Sequence, residues 1–137
     1  MRIMALDLGE KTIGVALGDP TGLIARGLEV IRRRTMEEDL KRLLALVIEY
    51  EVEKIVMGLP LNMNNTEGPG AQKARAFGEK LTSRTSIPVV FWDERLTTVA
   101  AEKLLLEADL SRAKRKKVID KMAAVFILQN FLDKERM

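Results

Sequence analysis

The hydrophobic period of this chain first changes at Thr35, from strand to helix, and the order of periods along the chain restricts the fold more than any single residue does. Upstream, Arg2 to Leu8, Thr12 to Leu17 and Leu23 to about Ile31 are apolar, β-compatible runs separated by Gly9-Glu10-Lys11 and Pro20-Thr21-Gly22. They predict three strands in an antiparallel meander, with Glu29 and Arg32 facing out. Downstream, Thr35 and Glu38 have capping-box spacing, and Leu40, Leu43, Leu44, Val47 and Ile48 form one helical stripe. Lys54 to Gly58 reads as a buried strand stopped by Leu59-Pro60, and Asn62 to Gly70 as a loop that could serve as a flap. A second helix should run from Gln72 to Arg84 with Ala74, Phe77 and Leu81 inward, and Pro88 opens a strand from Val89 to Trp92. Thr97 or Thr98 caps a helix that carries Val99, Ala100, Leu104 and Leu105 and ends at Asp109-Leu110; Ser111 caps the last one, which runs to about Leu132. Its stretch Met122 to Leu128 is apolar nearly all round, which predicts burial on more than one side. This order implies a single α/β domain over residues 1–137. Its five-stranded mixed sheet would combine the three-strand antiparallel meander with two parallel strands, with helices on both faces.

Three acids interrupt apolar segments in this pattern: Asp7 in Met4-Ala5-Leu6-Asp7-Leu8-Gly9, Glu94 after Val89-Val90-Phe91-Trp92, and Asp120 in Val118-Ile119-Asp120-Lys121-Met122-Ala123. An unpaired carboxylate is costly to ionise among apolar neighbours, so core segments exclude one unless a cation meets it. Three such acids suggest a metal site, yet each also has a plain structural reading. Asp7 extends the strand row of Ile3 and Ala5, or it is a turn acid that accepts the Gly9 or Glu10 amide. Gly9 and Gly14 beside it allow close approach, which phosphate or metal chemistry could use. Glu94 stands where a strand leaves the sheet, a place where ligands collect, or it pairs with Arg95 in solvent. Because side chains alternate, Asp93 and Glu94 point to opposite sides, and only one can join Asp7. Asp120 shares a helical face with Ala123, Ala124, Ile127 and Phe131, or it complements the positive end of its helix. Against the second reading, Lys114, Arg115, Lys116 and Lys117 crowd that same end, where each cation is disfavoured by about 0.3–1 kcal/mol.

Composition decides what chemistry such acids could do. The 137 residues include no histidine and no cysteine, which removes imidazole bases, thiolate zinc sites, cysteine nucleophiles and disulfides. Carboxylates, hydroxyls, lysines and backbone amides remain, and hard oxygen donors suit magnesium or manganese. A formal charge of +3 says little, but its distribution says more. Arg32-Arg33-Arg34 and Arg112 with Lys114 to Lys117 form clusters that phosphate backbones select, or else solvated basic runs. The N-terminus meets Asp7 too early for a secretory signal, and no stretch is long enough to span a bilayer, so a soluble cytoplasmic protein without a membrane partner is expected.

Asp7-Leu8-Gly9-Glu10-Lys11-Thr12-Ile13-Gly14-Val15-Ala16, Gly58-Leu59-Pro60-Leu61-Asn62, Asp93-Glu94-Arg95-Leu96-Thr97-Thr98 and Ile119-Asp120-Lys121-Met122-Ala123-Ala124 occur in this order with no large insertion. Together they closely resemble the bacterial family described both as Holliday junction resolvases and as pre-16S ribosomal RNA nucleases, and the resemblance covers essentially the whole chain. It implies a ribonuclease H-like fold. It also implies that Asp7, Glu94 and Asp120 match the family's three acidic positions, as catalytic groups and metal ligands, with Asp93 a non-catalytic neighbour. One departure is Thr12: members commonly carry Lys-Arg before Ile-Gly-Val-Ala, so a basic substrate contact is missing after Lys11.

If the three carboxylates converge, their repulsion calls for cations between them, and two Mg2+ or Mn2+ ions about 3.5–4 Å apart would satisfy it. Hydrolysis leaving a 3′-hydroxyl and a 5′-phosphate is what the resemblance implies. Lys11, Arg95, Arg112, Lys114, Arg115, Lys116 and Lys117 would grip the nucleic acid backbone without reading its sequence. The expected substrate is precursor 16S rRNA at its 5′ end or, alternatively, a branched DNA junction, whose symmetric cutting would call for a homodimer rather than a monomer. Two other classes fit some of the same residues. A non-catalytic nucleic-acid-binding or transcription-associated module would keep the fold without the cleavage. An actin-like phosphotransferase would share the Asp-Leu-Gly and Gly-Val-Ala hairpin, but it needs two lobes around its nucleotide, and this chain is too short for them.

Overall fold

The computed structural model describes residues 2–62, 64, 66–93 and 112–135, of which 112–121 are described as backbone alone. Strands β1 (Ile3–Leu8), β2 (Thr12–Gly18) and β3 (Ala25–Arg32) are followed by α1 (Met36–Glu49), β4 (Lys54–Leu59), α2 (Pro69–Thr82), β5 (Val89–Asp93) and α3 (Arg112–Glu135). The sheet order is β3-β2-β1-β4-β5. The first three strands pair antiparallel, while β1 with β4 and β4 with β5 pair parallel. The expected mixed sheet of a meander and two parallel strands is therefore present. The helix expected from Thr97 or Thr98 and the Ser111 cap lie outside the described residues.

Strand alternation divides the core in two. Met4, Leu6, Ile13, Val15, Leu17, Ile55 and Met57 meet α1 and α2 on one face, where Ala74, Phe77 and Leu81 of α2 are buried as expected. Ile3, Ala5, Ala16 and Val56 meet Ala124, Ile127, Leu128, Phe131 and Leu132 of α3 on the other. The two alanines of β1 and β2 leave little bulk under α3, so that helix can lie close to the sheet. Trp92 on β5 meets Phe131 edge to face, with ring centroids 5.6 Å apart. Gln129 ties α3 to the start of β3, accepting from the Ala25 amide at 2.9 Å and donating to the Leu23 carbonyl at 2.9 Å. No residue from Met122 to Leu128 is exposed, in keeping with that apolar stretch. Among the described residues no helix is long and apolar enough to cross a membrane.

Three element readings need correction. β3 begins at Ala25 rather than Leu23, because the Asp19 carboxylate takes the Leu23 and Ile24 amides at 2.9 and 3.1 Å and keeps them in the turn. The stripe of α1 uses Leu40, Leu43, Leu46 and Val47, whereas Ile48 is 78% exposed. α2 begins at Pro69 rather than Gln72, since proline suits the first helical turn, where an amide would lack a partner anyway. The loop before it is consequently shorter and is tied by Asn62 and Thr66, whose backbones bond at 2.8 Å and side chains at 3.0 Å.

Candidate active site

Asp7 follows Ile3 and Ala5 on the sheet face that packs against α3, and it is half-buried near the end of β1. Its cross-strand partner is Gly14, and beyond Gly14 on β3 stands Val30. Glycine adds no side-chain bulk next to the carboxylate; Gly14 itself is buried, and exposure along this row begins at Val30, which is 39% exposed. The hairpin turn that follows is tight. The Gly9 amide donates to the Thr12 carbonyl at 2.8 Å, and a Cβ at position 9 would stand 3.0 Å from that same oxygen.

A second device holds the turn from the opposite face. Arg33 Nη1 donates to the Gly9 carbonyl at 2.8 Å, its amide donates to the Lys11 carbonyl at 2.8 Å, and its Nε meets Asp39 Oδ2 at 3.3 Å. Asp39 is 2% exposed and also accepts from the Arg34 amide at 3.1 Å. The guanidinium carbon of Arg33 lies 5.8 Å from the Phe77 ring centroid on α2. Arg33 thus leaves the phosphate-selecting cluster to which its sequence assigned it and works as an internal clamp. The clue was Asp39, the one acid on the apolar side of α1.

Asp93 closes β5 opposite Leu59, in phase with Val89 and Phe91 and hence on the α1–α2 face. It stands on the other side of the sheet from Asp7. Glu94 and Arg95 lie outside the described residues. Asp120 is in the backbone of α3, in helical phase with Ala124 and Ile127, which pack on the Asp7 face. The far end of α3 is fixed where Lys54 Nζ lies 5.6 Å from the Phe131 ring and Leu132 lies beside Gly18. Asp120 is twelve residues from Leu132, about 18 Å of helix. Asp7 is four residues beyond Ile3, about 13 Å of strand, so helix and strand run to the same end of the sheet. Arg112, Lys114, Arg115, Lys116 and Lys117 occupy the first two turns of α3 at that end, and Lys11 is exposed at the hairpin tip.

Asp7 offers hard carboxylate oxygens in a chain without histidine or thiolate, a donor type that fits magnesium or manganese. Among the described residues there is no group of three such ligands, Asp7 being the one member of the expected trio whose side chain is described.

The family model RuvX, described as Holliday junction resolvase, matches residues 1–134. The chain belongs to this family. A protein of Desulforamulus reducens named "Putative pre-16S rRNA nuclease" is 60% identical to this RuvX-family chain over 133 residues, covering 97% of each chain. A Listeria monocytogenes protein of the same name is 58% identical over 138 residues, covering 97% of this chain and 98% of its own. Among solved structures, T. thermophilus RuvC in complex with a Holliday junction superposes with a TM-score of 0.61 over 99% of this chain and 96% of its own, at 17% identity. At that identity the likeness is one of fold, and it agrees with the ribonuclease H-like architecture expected for the RuvX family.

Proposed function

We propose that this chain is a metal-dependent endonuclease that processes the 5′ end of precursor 16S rRNA in the cytoplasm during ribosome biogenesis, with residues 1–137 acting as one nuclease domain. The observation that carries this reading is the 60% identity, across nearly the whole of both chains, to a protein named "Putative pre-16S rRNA nuclease". The half-buried Asp7, with a glycine as its cross-strand neighbour, supports the hydrolytic part. Asp7, Glu94 and Asp120 would hold Mg2+ or Mn2+ ions. When bound, such ions lower the pKa of an attacking water and offset charge on the departing oxygen. Asp7 contributes position: a strand-borne carboxylate behind a hairpin clamped by Arg33 has little freedom to move. Lys11, Arg95 and the Arg112–Lys117 cluster would hold the backbone phosphates and leave bases unread.

The family description favours a second reading, a Holliday junction resolvase, whose symmetric cutting would call for a homodimer. A side-by-side assay separates them. Purified protein with manganese or magnesium should trim a precursor 16S rRNA fragment at far higher kcat/KM than it cuts a four-way DNA junction, and chelation should stop the reaction. Cutting of the junction alone would turn the reading to the resolvase. Binding without cleavage of either would leave a recognition module.

A further inference from the structure

Among the described residues four arginines are tied to carboxylates: Arg33 to Asp39, Arg42 to Glu29, Arg75 to Glu67 and Arg84 to Glu37. Arg32 is exposed, and among the described residues its guanidinium has no ion-pair or hydrogen-bond partner. Its direction is set by a register shift. β2 and β3 pair Leu17 with Arg26 and Ala16 with Gly27, but Val15 then meets Glu29, leaving Leu28 as the extra residue of a bulge. Without that residue, counting from Leu17 and Arg26 would pair Thr12 with Ile31, and every side chain from 29 to 32 would change face. With it, Ile31 enters the α1–α2 core while Arg32 pairs with Thr12 and faces the side that carries Asp7. Bulges re-aim side chains in this way beside functional sites.

Arg32 lines an open cleft of about 790 Å3 with Val30 and the turn from Gly9 to Thr12. Among the described residues that line the cleft, the one acid, Glu10, is outnumbered by Lys11, Arg32 and Arg33. From Asp7, Arg32 is two strands across and two residues along, about 12 Å between Cα atoms by sheet spacings. We propose that Arg32 binds a backbone phosphate of the substrate, a few nucleotides from the bond cut at Asp7, with Lys11 as its partner across the cleft. This assignment rests on the nuclease reading of the Asp7 face.

The test is equilibrium binding of a labelled precursor 16S rRNA fragment to the full chain in chelator, titrated between about 50 and 200 mM salt, with steady-state cleavage run in parallel. Arg32→Ala should make the log–log salt slope shallower by about 0.7–0.9, so that the fall in affinity across that range is about threefold smaller. KM should rise with kcat unchanged. Arg32→Lys, which keeps the charge, should keep the slope, as should Arg26→Ala at the other end of the same strand. If the wild-type protein binds and cuts while Arg32→Ala keeps both slope and KM, the assignment is overturned and the nuclease reading stands. If the wild-type protein neither binds nor cuts structured nucleic acid, both are overturned.

Discussion

Three consecutive arginines have separate environments here. Arg34 is exposed, Arg32 faces the Asp7 side, and Arg33 turns into the other face to meet Asp39, Gly9 and Phe77. Removing Arg33 would leave the buried Asp39 carboxylate with the Arg34 amide but no cation, and would strip a donor from the Gly9 carbonyl. Arg33→Ala should therefore lower the unfolding free energy by about 2–3 kcal/mol in urea denaturation, and a loss below about 0.5 kcal/mol would contradict the clamp. The run of charge was plain in the sequence, but its division was not. Which arginine faces which side depends on the extra residue at Leu28, and nothing in Gly27-Leu28-Glu29 distinguishes a bulge from a regular strand.

The elements themselves were legible because their periods were, and the errors fall where two neighbouring apolar rows competed. On α1, Leu40, Leu43, Leu44, Leu46, Val47 and Ile48 cover more than half the circumference, so the phase is decided by what lies across the interface. The sheet selects Leu46 over Ile48. Accordingly Leu46→Ala should cost about 2–5 kcal/mol and Ile48→Lys less than about 0.5 kcal/mol, both measurable by chemical unfolding. The turn before β3 has its own signature. The Thr21 hydroxyl first, then the Ile24, Leu23 and Gly22 amides, hold the Asp19 carboxyl down at about 2 from an ordinary 3.8. A carboxyl lowered on folding stabilises the fold above its unfolded value and loses that contribution as pH falls through its folded one. Asp19→Asn should therefore melt below the wild-type protein at pH 6, with the gap closing between about pH 4 and 2. A gap unchanged across that window would show that the carboxylate charge is irrelevant to the turn.

Across the molecule, one sheet separates two tasks. Its α1–α2 face carries the larger core and the Arg33 clamp, and its α3 face carries Asp7 beside Gly14 and Arg32. The placement of Asp7 was readable because strand alternation alone puts it in line with Ile3 and Ala5. The same rule put Asp93 and Glu94 on opposite sides without saying which of them joins Asp7, and the register of β5 places Asp93 on the other face. Cross-strand neighbours were not readable: Arg32 opposite Thr12 puts a cation beside the position where the family resemblance implied one was missing. The decisive comparison is manganese-dependent cleavage of precursor 16S rRNA by the wild-type protein and by Asp7→Asn, with thermal unfolding run on both. Loss of cleavage by at least about a thousandfold, with the melting curve retained, is the expected result for a carboxylate that holds the metal ions at the reacting phosphate. Full cleavage by a folded Asp7→Asn protein would contradict it.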